Sequence, residues 1–179
     1  MPINPDHDLM RIFHFNAADI ETNRAGRLSD SQVERLSKRN KSAQRLASIG
    51  CAGLLIVAVL VIALDISDST QENLLIAFGI LLIGGLPIVY IYLGVMDRQT
   101  DLRKDKIKSN VSELRVFESK GDGGQITYVL WAWPIHLNIS ESVYLDIRGY
   151  LTLHPQNTQF RLYYAPESNE LLSIEVVDQ

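Results

Sequence analysis

The chain has 179 residues, of which 46% are hydrophobic and 21% charged, and its formal net charge is −4. These averages are ordinary for one soluble domain, but charged residues are missing from two long stretches, and from Ser109 onward nine acidic residues stand against four basic ones. The acidic distal part argues against nucleic acid as a partner, and a single cysteine, Cys51, excludes an intrachain disulfide.

Residues 1–45 are predicted to form a cytoplasmic helical segment. Apolar positions predict a helix over Leu9–Thr22. A turn should follow over Asn23–Leu28, where the glycine can take the left-handed conformation that ends a helix. Ser29 and Gln32 form a capping-box pattern, so the next helix should begin there and continue toward the membrane.

Two apolar runs predict transmembrane helices. Residues 46–64 are 19 consecutive residues without a charge, and residues 74–96 are 23. A helix needs roughly 20 apolar residues to cross a bilayer, and these runs are apolar around the whole helix, unlike the amphipathic helices of a soluble core. The first run follows a charged segment, so we expect it to stay in the mature protein and not to be a cleaved signal peptide.

The flanking basic residues predict the orientation of the chain. The 20 positions before residues 46–64 and the 20 positions after residues 74–96 hold six Lys or Arg each, whereas the connecting segment 65–73 holds none. Lys and Arg bias flanking segments toward the cytoplasm. We therefore expect a multi-pass protein of the bacterial inner (plasma) membrane, with both termini cytoplasmic and an extracytoplasmic loop at 65–73.

Small residues and a proline within the runs predict close helix contacts. Gly50 and Gly53 lie in the first run, and Gly84, Gly85 and Pro87 lie in the second. Glycine permits close approach of helices, and proline removes a helix hydrogen bond. These residues are predicted to pack against another helix or to kink the second one; the alternative is that residues 84–87 form a gating hinge.

Eight flanking basic residues are candidates for contacts with anionic lipid headgroups, each contributing about 1 kcal/mol when well placed. They are Arg35, Lys38, Arg39, Lys41, Arg45, Arg98, Arg103 and Lys104. The simpler interpretation is that they only set the topology and lie on a solvated face. Under either interpretation the lipid bilayer is a partner.

The remainder of the chain is predicted to be a helical linker followed by a β domain. Charges at helical spacing continue the second helix over 97–110, and from 111 to 179 apolar residues recur at every second position, as in strands. The predicted strand faces are Leu114 and Val116; Ile126, Tyr128 and Leu130; Val143, Leu145 and Ile147; Leu151 and Leu153; Phe160, Leu162 and Tyr164; and Leu172, Ile174 and Val176. Turns between them indicate a meander of antiparallel strands that forms a small closed or half-closed barrel or a sandwich. The predicted fold class is therefore an α+β membrane protein with a two-helix transmembrane hairpin and a cytoplasmic β domain.

The last predicted strand makes a specific assignment of faces. Its alternation places Ile174 in the core and Glu175 on the solvent side. An unpaired charge in the core would be costly, so we expect Ile174→Asp to unfold the domain and Glu175→Ala to be nearly silent.

The sequence carries no pattern typical of catalysis or metal binding. A Walker loop, a GxSxG elbow and an HExxH motif are all missing, and the four histidines lack metal-ligand spacing. We expect no catalytic residue, metal or cofactor. Trp131 and Trp133 are predicted to share one strand face, which belongs either to the core or a contact with membrane or partner, or to a binding platform.

Two motifs resemble those of a known group. Asn23–Gln32 reads NRAGRLSxxQ, and Tyr163–Glu175 reads YYAPxSxxLLSIE. Together they resemble uncharacterised bacterial membrane proteins with the same two-span layout, which implies no named activity. The first motif is also similar to bacterial oligomerisation hairpins of the SHOCT type, although the acidic pair after the cap is missing. The layout is similar to that of NfeD-like proteins, which place an OB-type barrel behind transmembrane helices and partner with stomatin-like scaffolds, but their glycine-rich strand starts are missing here.

These features predict a non-enzymatic integral membrane subunit or scaffold of a larger assembly. Its expected partners are other membrane subunits or further copies of the chain. The alternative is an oligomeric channel or transporter component, in which several hairpins line a path and residues 84–87 bend to open it. An enzyme is the third class considered.

Overall fold

A computed structural model describes residues 6–63, 70–121 and 123–177, apart from the side chain of Thr70. The helices in these ranges are α1 His7–Phe13, α2 Ala17–Arg24, α3 Asp30–Ala63, α4 Thr70–Lys104 and α5 Glu141–Leu153. The strands are β1 Lys108–Ser112, β2 Arg115–Lys120, β3 Ile126–Ala132, β4 Ile135–Ile139, β5 Phe160–Tyr164 and β6 Leu171–Val176. Of the predicted loop, residues 65–69 lie outside the described ranges, and residues 70–73 already belong to α4.

The chain divides into two compact units. The helical unit consists of residues 34–100, and the α+β unit combines residues 1–33 with residues 101–179. The N-terminal segment therefore belongs with the β strands of the distal part, because α1 and α2 both contact β6.

The helical unit contains most of α3 and α4, which are 34 and 35 residues long. Their most apolar 18-residue windows have mean hydropathies of 2.7 and 2.6, and only 17% and 6% of the residues in those windows are buried. Each helix is long and apolar enough to cross a membrane. A small buried cluster of Ala58, Val61 and Ala77 lies between them.

The N-terminal segment forms two helices before α3, so the single helix predicted over Leu9–Thr22 is wrong. His14 adopts a left-handed φ of 56° and ends α1. Asn16 then begins α2 through a reciprocal capping box with Asp19, a role for which short polar side chains are well suited. The predicted glycine turn is confirmed, because Gly26 has φ of 77°.

The predicted start of α3 is also confirmed. The Gln32 backbone N–H donates to Ser29 Oγ at 3.2 Å, and the Ser29 backbone N–H donates to Gln32 Oε1 at 3.1 Å. A helix start leaves backbone donors without partners inside the helix. The two side chains therefore stabilise the helix start at the position that the sequence pattern predicted.

The α+β unit is built on two three-stranded antiparallel sheets with strand orders β1-β5-β6 and β2-β3-β4. Their shared core includes Leu130, Ile135, Ile147, Leu162 and Ile174, and α1 and α5 contribute side chains to it. The predicted α+β class with antiparallel strands is confirmed, but the sheets do not form a closed barrel, so that alternative of the prediction is wrong. The meander is wrong as well, because β1 pairs with the distant β5 and not with β2.

Two predicted strands are in fact one helix. The apolar residues of 143–153 belong to α5, which begins at the N-cap Ser140, whose hydroxyl accepts from the Val143 N–H at 3.4 Å. Tyr144, Ile147 and Tyr150 are buried at helical spacing, whereas Leu145, predicted to share a strand face with Ile147, is 54% exposed. The alternation was misleading because both periods fit so short a segment.

Two observed strands were not predicted. β1 begins within the predicted helical linker and has the polar sequence KSNVS, so it lacks an alternating apolar face. β4 follows β3 after a short turn and pairs with it from Ala132–Ile135 to Tyr128–Ile139. Both strands lie at an edge of their sheet. β1 was missed because its sequence is polar, whereas β4 does alternate at Ile135, Leu137 and Ile139, so a signal for it was present in the sequence.

Candidate functional site

A buried polar contact joins α2 and the first turn of α3 to β6. Asn23 Nδ2 donates to Ser173 Oγ at 2.6 Å across 150 positions of sequence. Gln32 Nε2 donates to the backbone carbonyl of Leu172 at 3.3 Å. Asn23, Gln32 and Ser173 are each at most 2% exposed. The contact therefore brings together the two motifs that resemblance singled out in the sequence.

The Glu175 carboxylate lies at the centre of this contact. Its Oε2 accepts from Arg24 Nε at 3.1 Å and also from Arg24 Nη2. Its Oε1 accepts from Arg161 Nη1 at 3.2 Å and from the Tyr163 hydroxyl at 2.7 Å. Glu175 is only 5% exposed. The prediction that Glu175 faces solvent is wrong, because α2 packs on β6 and covers this residue.

The contacts of the Glu175 cluster (Arg24, Arg161, Tyr163 and Glu175) shift the pKa of Arg24 and of Tyr163. The hydrogen bond to Glu175 raises the pKa of Arg24. Burial raises the pKa of Tyr163, because it disfavours the phenolate, and the hydrogen bond to Glu175 raises it further. By formal charge, the two arginines of the cluster outnumber its one glutamate.

A second buried carboxylate links α2 to the start of α3. Asp19 Oδ1 accepts from Ser31 Oγ at 2.6 Å and from Ser29 Oγ, and its Oδ2 accepts from the Asn16 backbone N–H at 2.9 Å. Asp19 is 2% exposed. A buried carboxylate is stable when several donors surround it, so these bonds hold the two helices in a defined arrangement.

The last turns of α4 are attached to the connection between β5 and β6. The Asp101 carboxylate accepts from the backbone N–H groups of Glu167 at 3.0 Å and Ser168 at 2.9 Å, and Asp101 is 0% exposed. Lys104 Nζ lies 2.7 Å from Glu167 Oε1, and this hydrogen bond lowers the pKa of the Glu167 carboxyl. The Lys104 pair is exposed and contributes little, whereas the buried Asp101 bonds replace water that the turn has lost.

The start of α3 and the end of α4 are therefore held by one element. We call residues 160–176, which comprise β5, β6 and their turn, the β5–β6 hairpin. Gln32 at the start of α3 reaches its Leu172 carbonyl, and Asp101 near the end of α4 caps its turn. A third bond runs from the Leu28 backbone N–H to Asp105 Oδ1 at 2.9 Å. The arrangement fixes the two chain segments that enter and leave the helical unit.

A pocket of about 520 Å³ opens beside the Glu175 cluster. It is lined by Arg24 from α2, Ser109 from β1, and Arg161 and Tyr163 from β5. Volumes of this size are typical of small-ligand pockets. Asn23, Gly26 and Ile107 complete the lining. The two guanidinium groups and the Ser109 hydroxyl can donate hydrogen bonds into the pocket, whereas the Tyr163 hydroxyl already donates its proton to Glu175.

The predicted helix-packing residues fall into two groups. At Gly50 a side-chain Cβ would lie 3.2 Å from Ile88 Cδ1, and at Gly84 it would lie 2.5 Å from Leu54 Cδ2. Both glycines thus lie where α3 and α4 approach each other. Gly53 and Gly85 have no described atom within 4 Å of a Cβ. Pro87 lies inside α4.

The candidate lipid contacts are distributed over both long helices. Lys38, Arg39, Lys41, Arg45 and Arg103 are exposed, and Arg35 and Arg98 are partly buried. Lys41 and Arg45, one helical turn apart, line a shallow depression of about 400 Å³ together with Ser48 and Ile49. Lys104 is paired with Glu167 in the α+β unit. Their contact with lipid stays a prediction.

The two tryptophans do not share a strand face. Trp131 lies in β3, and the Arg115 guanidinium stands 5.7 Å from its ring centroid. Trp133 follows the end of β3 and is 65% exposed. The prediction failed because β3 ends at Ala132, and alternation stops where a strand stops.

Neither possible metal ligands nor similarity to known proteins identifies a site in this chain. Within residues 6–63, 70–121 and 123–177, no cluster of three or more His, Cys, Asp or Glu is arranged to hold a metal ion. No protein-family model, curated protein or solved structure matches the chain.

Sequence reasoning missed the residues that form the site. Arg24 and Tyr163 stand inside the two quoted motifs, and Arg161 precedes the second one by two positions. One signal was available, because Arg161 lies opposite Glu175 when β5 and β6 are paired. Opposite charges at facing positions of neighbouring strands often form ion pairs. Asp101 gave no signal, because its partners are backbone groups of a distant turn.

Proposed function

We propose that the protein is a non-enzymatic integral membrane subunit or scaffold of a larger membrane assembly. Its two apolar helices would cross the inner (plasma) membrane, and the α+β unit would lie in the cytoplasm with both chain ends. The observation that carries the proposal is the attachment of the α3 start and the α4 end to the β5–β6 hairpin through buried bonds of Gln32 and Asp101.

The attachment suits a scaffold because, within the α+β unit, it fixes the start of α3 and the last residues of α4 to the same hairpin. Hydrogen bonds that involve a charged group contribute about 1.5–3 kcal/mol each. Asp101 makes two with backbone N–H groups while fully buried, so separating α4 from the hairpin would leave a carboxylate and two donors unpaired.

The exposed surface of the helices supports association with further membrane helices. Gly53 and Gly85 leave open space where a Cβ would stand, and helices in membranes associate through small residues that allow close approach. A second copy of the chain or another membrane subunit could pack on this surface.

Assembly is tested by measuring the mass of the particle in several mild detergents and after crosslinking in native membranes. We expect an assembly larger than one chain. Gly85→Leu should weaken it by filling the open position, whereas Val89→Leu, an exposed control one turn later on α4, should not. A strictly monomeric particle in all detergents and in crosslinked membranes would refute the proposal. Solute flux through reconstituted liposomes would replace it with the channel alternative.

Orientation is tested with single cysteines on a Cys51→Ala background. Six basic residues precede residues 46–64, none lies within 65–73, and six follow residues 74–96. This distribution predicts that a cysteine at Ser69 reacts with an impermeant reagent from outside. Cysteines at Ser42 and Ser109 should react only after the membrane is opened. The reverse labelling pattern would overturn the proposed topology.

A further inference from the structure

The pocket beside the Glu175 cluster has more positive charge than its internal carboxylate neutralises. Arg24 and Arg161 both bind Glu175, and their side chains remain 37% and 42% exposed. Each guanidinium has five N–H donors, of which Arg24 spends two and Arg161 one on Glu175. The described residues that line the pocket include these two arginines and no acid.

The donors around the pocket come from three elements and so from three directions. Arg24 belongs to α2, Ser109 to β1 and Arg161 to β5. Ser109 and Tyr163 are paired in the β1–β5 ladder, which places them beside each other. Glu175 already provides a planar carboxylate, whose two oxygens bind both arginines. A phosphate ester presents two or three terminal oxygens in a tetrahedral arrangement, which suits donors that converge from different directions.

We propose that this pocket binds a phosphate ester. Guanidinium groups bind phosphate oxygens through paired N–H donors, and the Ser109 hydroxyl adds a further donor. The volume of about 520 Å³ leaves room for the group that the phosphate is attached to. The ester is either a soluble phosphate monoester or the headgroup of an anionic phospholipid. The site is independent of the scaffold role, because ligand binding and assembly are measured separately.

The experiment uses the full-length chain and follows thermal unfolding of the α+β unit by tryptophan fluorescence, since Trp131 and Trp133 are the 2 tryptophans of the chain. A ligand that binds only the folded unit raises its melting temperature. One arm titrates glycerol 3-phosphate, with glycerol as the control, into protein in phosphatidylcholine nanodiscs. The other arm compares nanodiscs of phosphatidylcholine alone with nanodiscs that contain phosphatidylglycerol.

The variants place one new charge inside or outside the pocket. Ser109→Asp adds a carboxylate to the lining, and Ser119→Asp adds the same group at an exposed position of β2 in the other sheet. We expect Ser109→Asp to weaken phosphate binding about tenfold or more through repulsion at short range, and Ser119→Asp to leave it unchanged. Arg161→Lys keeps the positive charge but loses the paired N–H donors of the guanidinium, so it should weaken phosphate binding several-fold. This variant tests the site if Ser109→Asp fails to fold.

The outcomes decide both the site and the source of the ligand. Stabilisation by glycerol 3-phosphate that Ser109→Asp abolishes assigns a soluble ester. Stabilisation only by phosphatidylglycerol, again abolished by Ser109→Asp, assigns a lipid headgroup. If neither arm stabilises the α+β unit, or if the two aspartate variants behave alike while Arg161→Lys binds normally, the pocket is not a phosphate site.

Discussion

Removal of the Glu175 carboxylate is the perturbation that most directly tests the α+β unit. In Glu175→Ala, the buried Tyr163 hydroxyl loses its acceptor, and Arg24 and Arg161 lose the anion between them. The alternation of β6 taken alone would make this variant nearly silent, whereas the tertiary contacts make it strongly destabilising. The two expectations are far enough apart for one measurement to separate them.

The magnitude follows from burial. The Tyr163 bond is buried and has a charged acceptor, which corresponds to about 1.5–3 kcal/mol. Arg24 and Arg161 are 37% and 42% exposed, so solvent screens them and each ion pair adds only about 0–1 kcal/mol. The free energy of unfolding should therefore fall by about 3 kcal/mol, which lowers the melting temperature of a unit of this size by about 10 °C.

The assay is thermal unfolding of the full-length chain followed by tryptophan fluorescence. Glu118→Ala is the matched control, because Glu118 is an exposed glutamate on β2. It should change the melting temperature by no more than about 2 °C. If Glu175→Ala unfolds together with the wild type and the control, the cluster does not stabilise the contact between α2 and β6, and the reasoning fails.

Three further predictions concern other parts of the α+β unit. Asp101→Ala leaves the N–H groups of the hairpin turn unpaired and should speed hydrogen exchange over 165–170 by about tenfold or more. The control Asp97→Ala, at an exposed position of α4, should leave this exchange unchanged. Equal exchange in the two variants would contradict the capping role of Asp101. Burial raises the pKa of Tyr163 in the folded state, so its contribution to stability is complete below the unfolded pKa of about 10 and is lost as pH rises above it. Tyr163→Phe should accordingly lose less stability than wild type between about pH 9 and about pH 12, and parallel pH profiles would refute the assignment. Ile174 is 1% exposed, so Ile174→Asp should make the α+β unit sensitive to protease while leaving membrane insertion intact; wild-type resistance would exclude this core position.

Features that depend on neighbouring residues were predictable from the sequence. The two apolar helices follow from uninterrupted apolar runs, and the start of α3 follows from Ser29 and Gln32, whose side chains bond within one turn. The positive φ of Gly26 is likewise a local property of the turn. In β6, alternation correctly placed Leu172 and Ile174 in the core, because one face of a strand is buried whatever lies on the other.

Features that depend on a distant element were decided by the tertiary structure alone. The segment 143–153 fits two periods, and it is a helix because Tyr144, Ile147 and Tyr150 find a surface to pack against. Glu175 is buried because α2, some 150 positions earlier in the chain, packs against β6. Alternation assigns residues to two faces but cannot tell whether the second face meets water or another element. The pocket arises for the same reason, since its donors come from α2, β1 and β5, and only their packing brings them together.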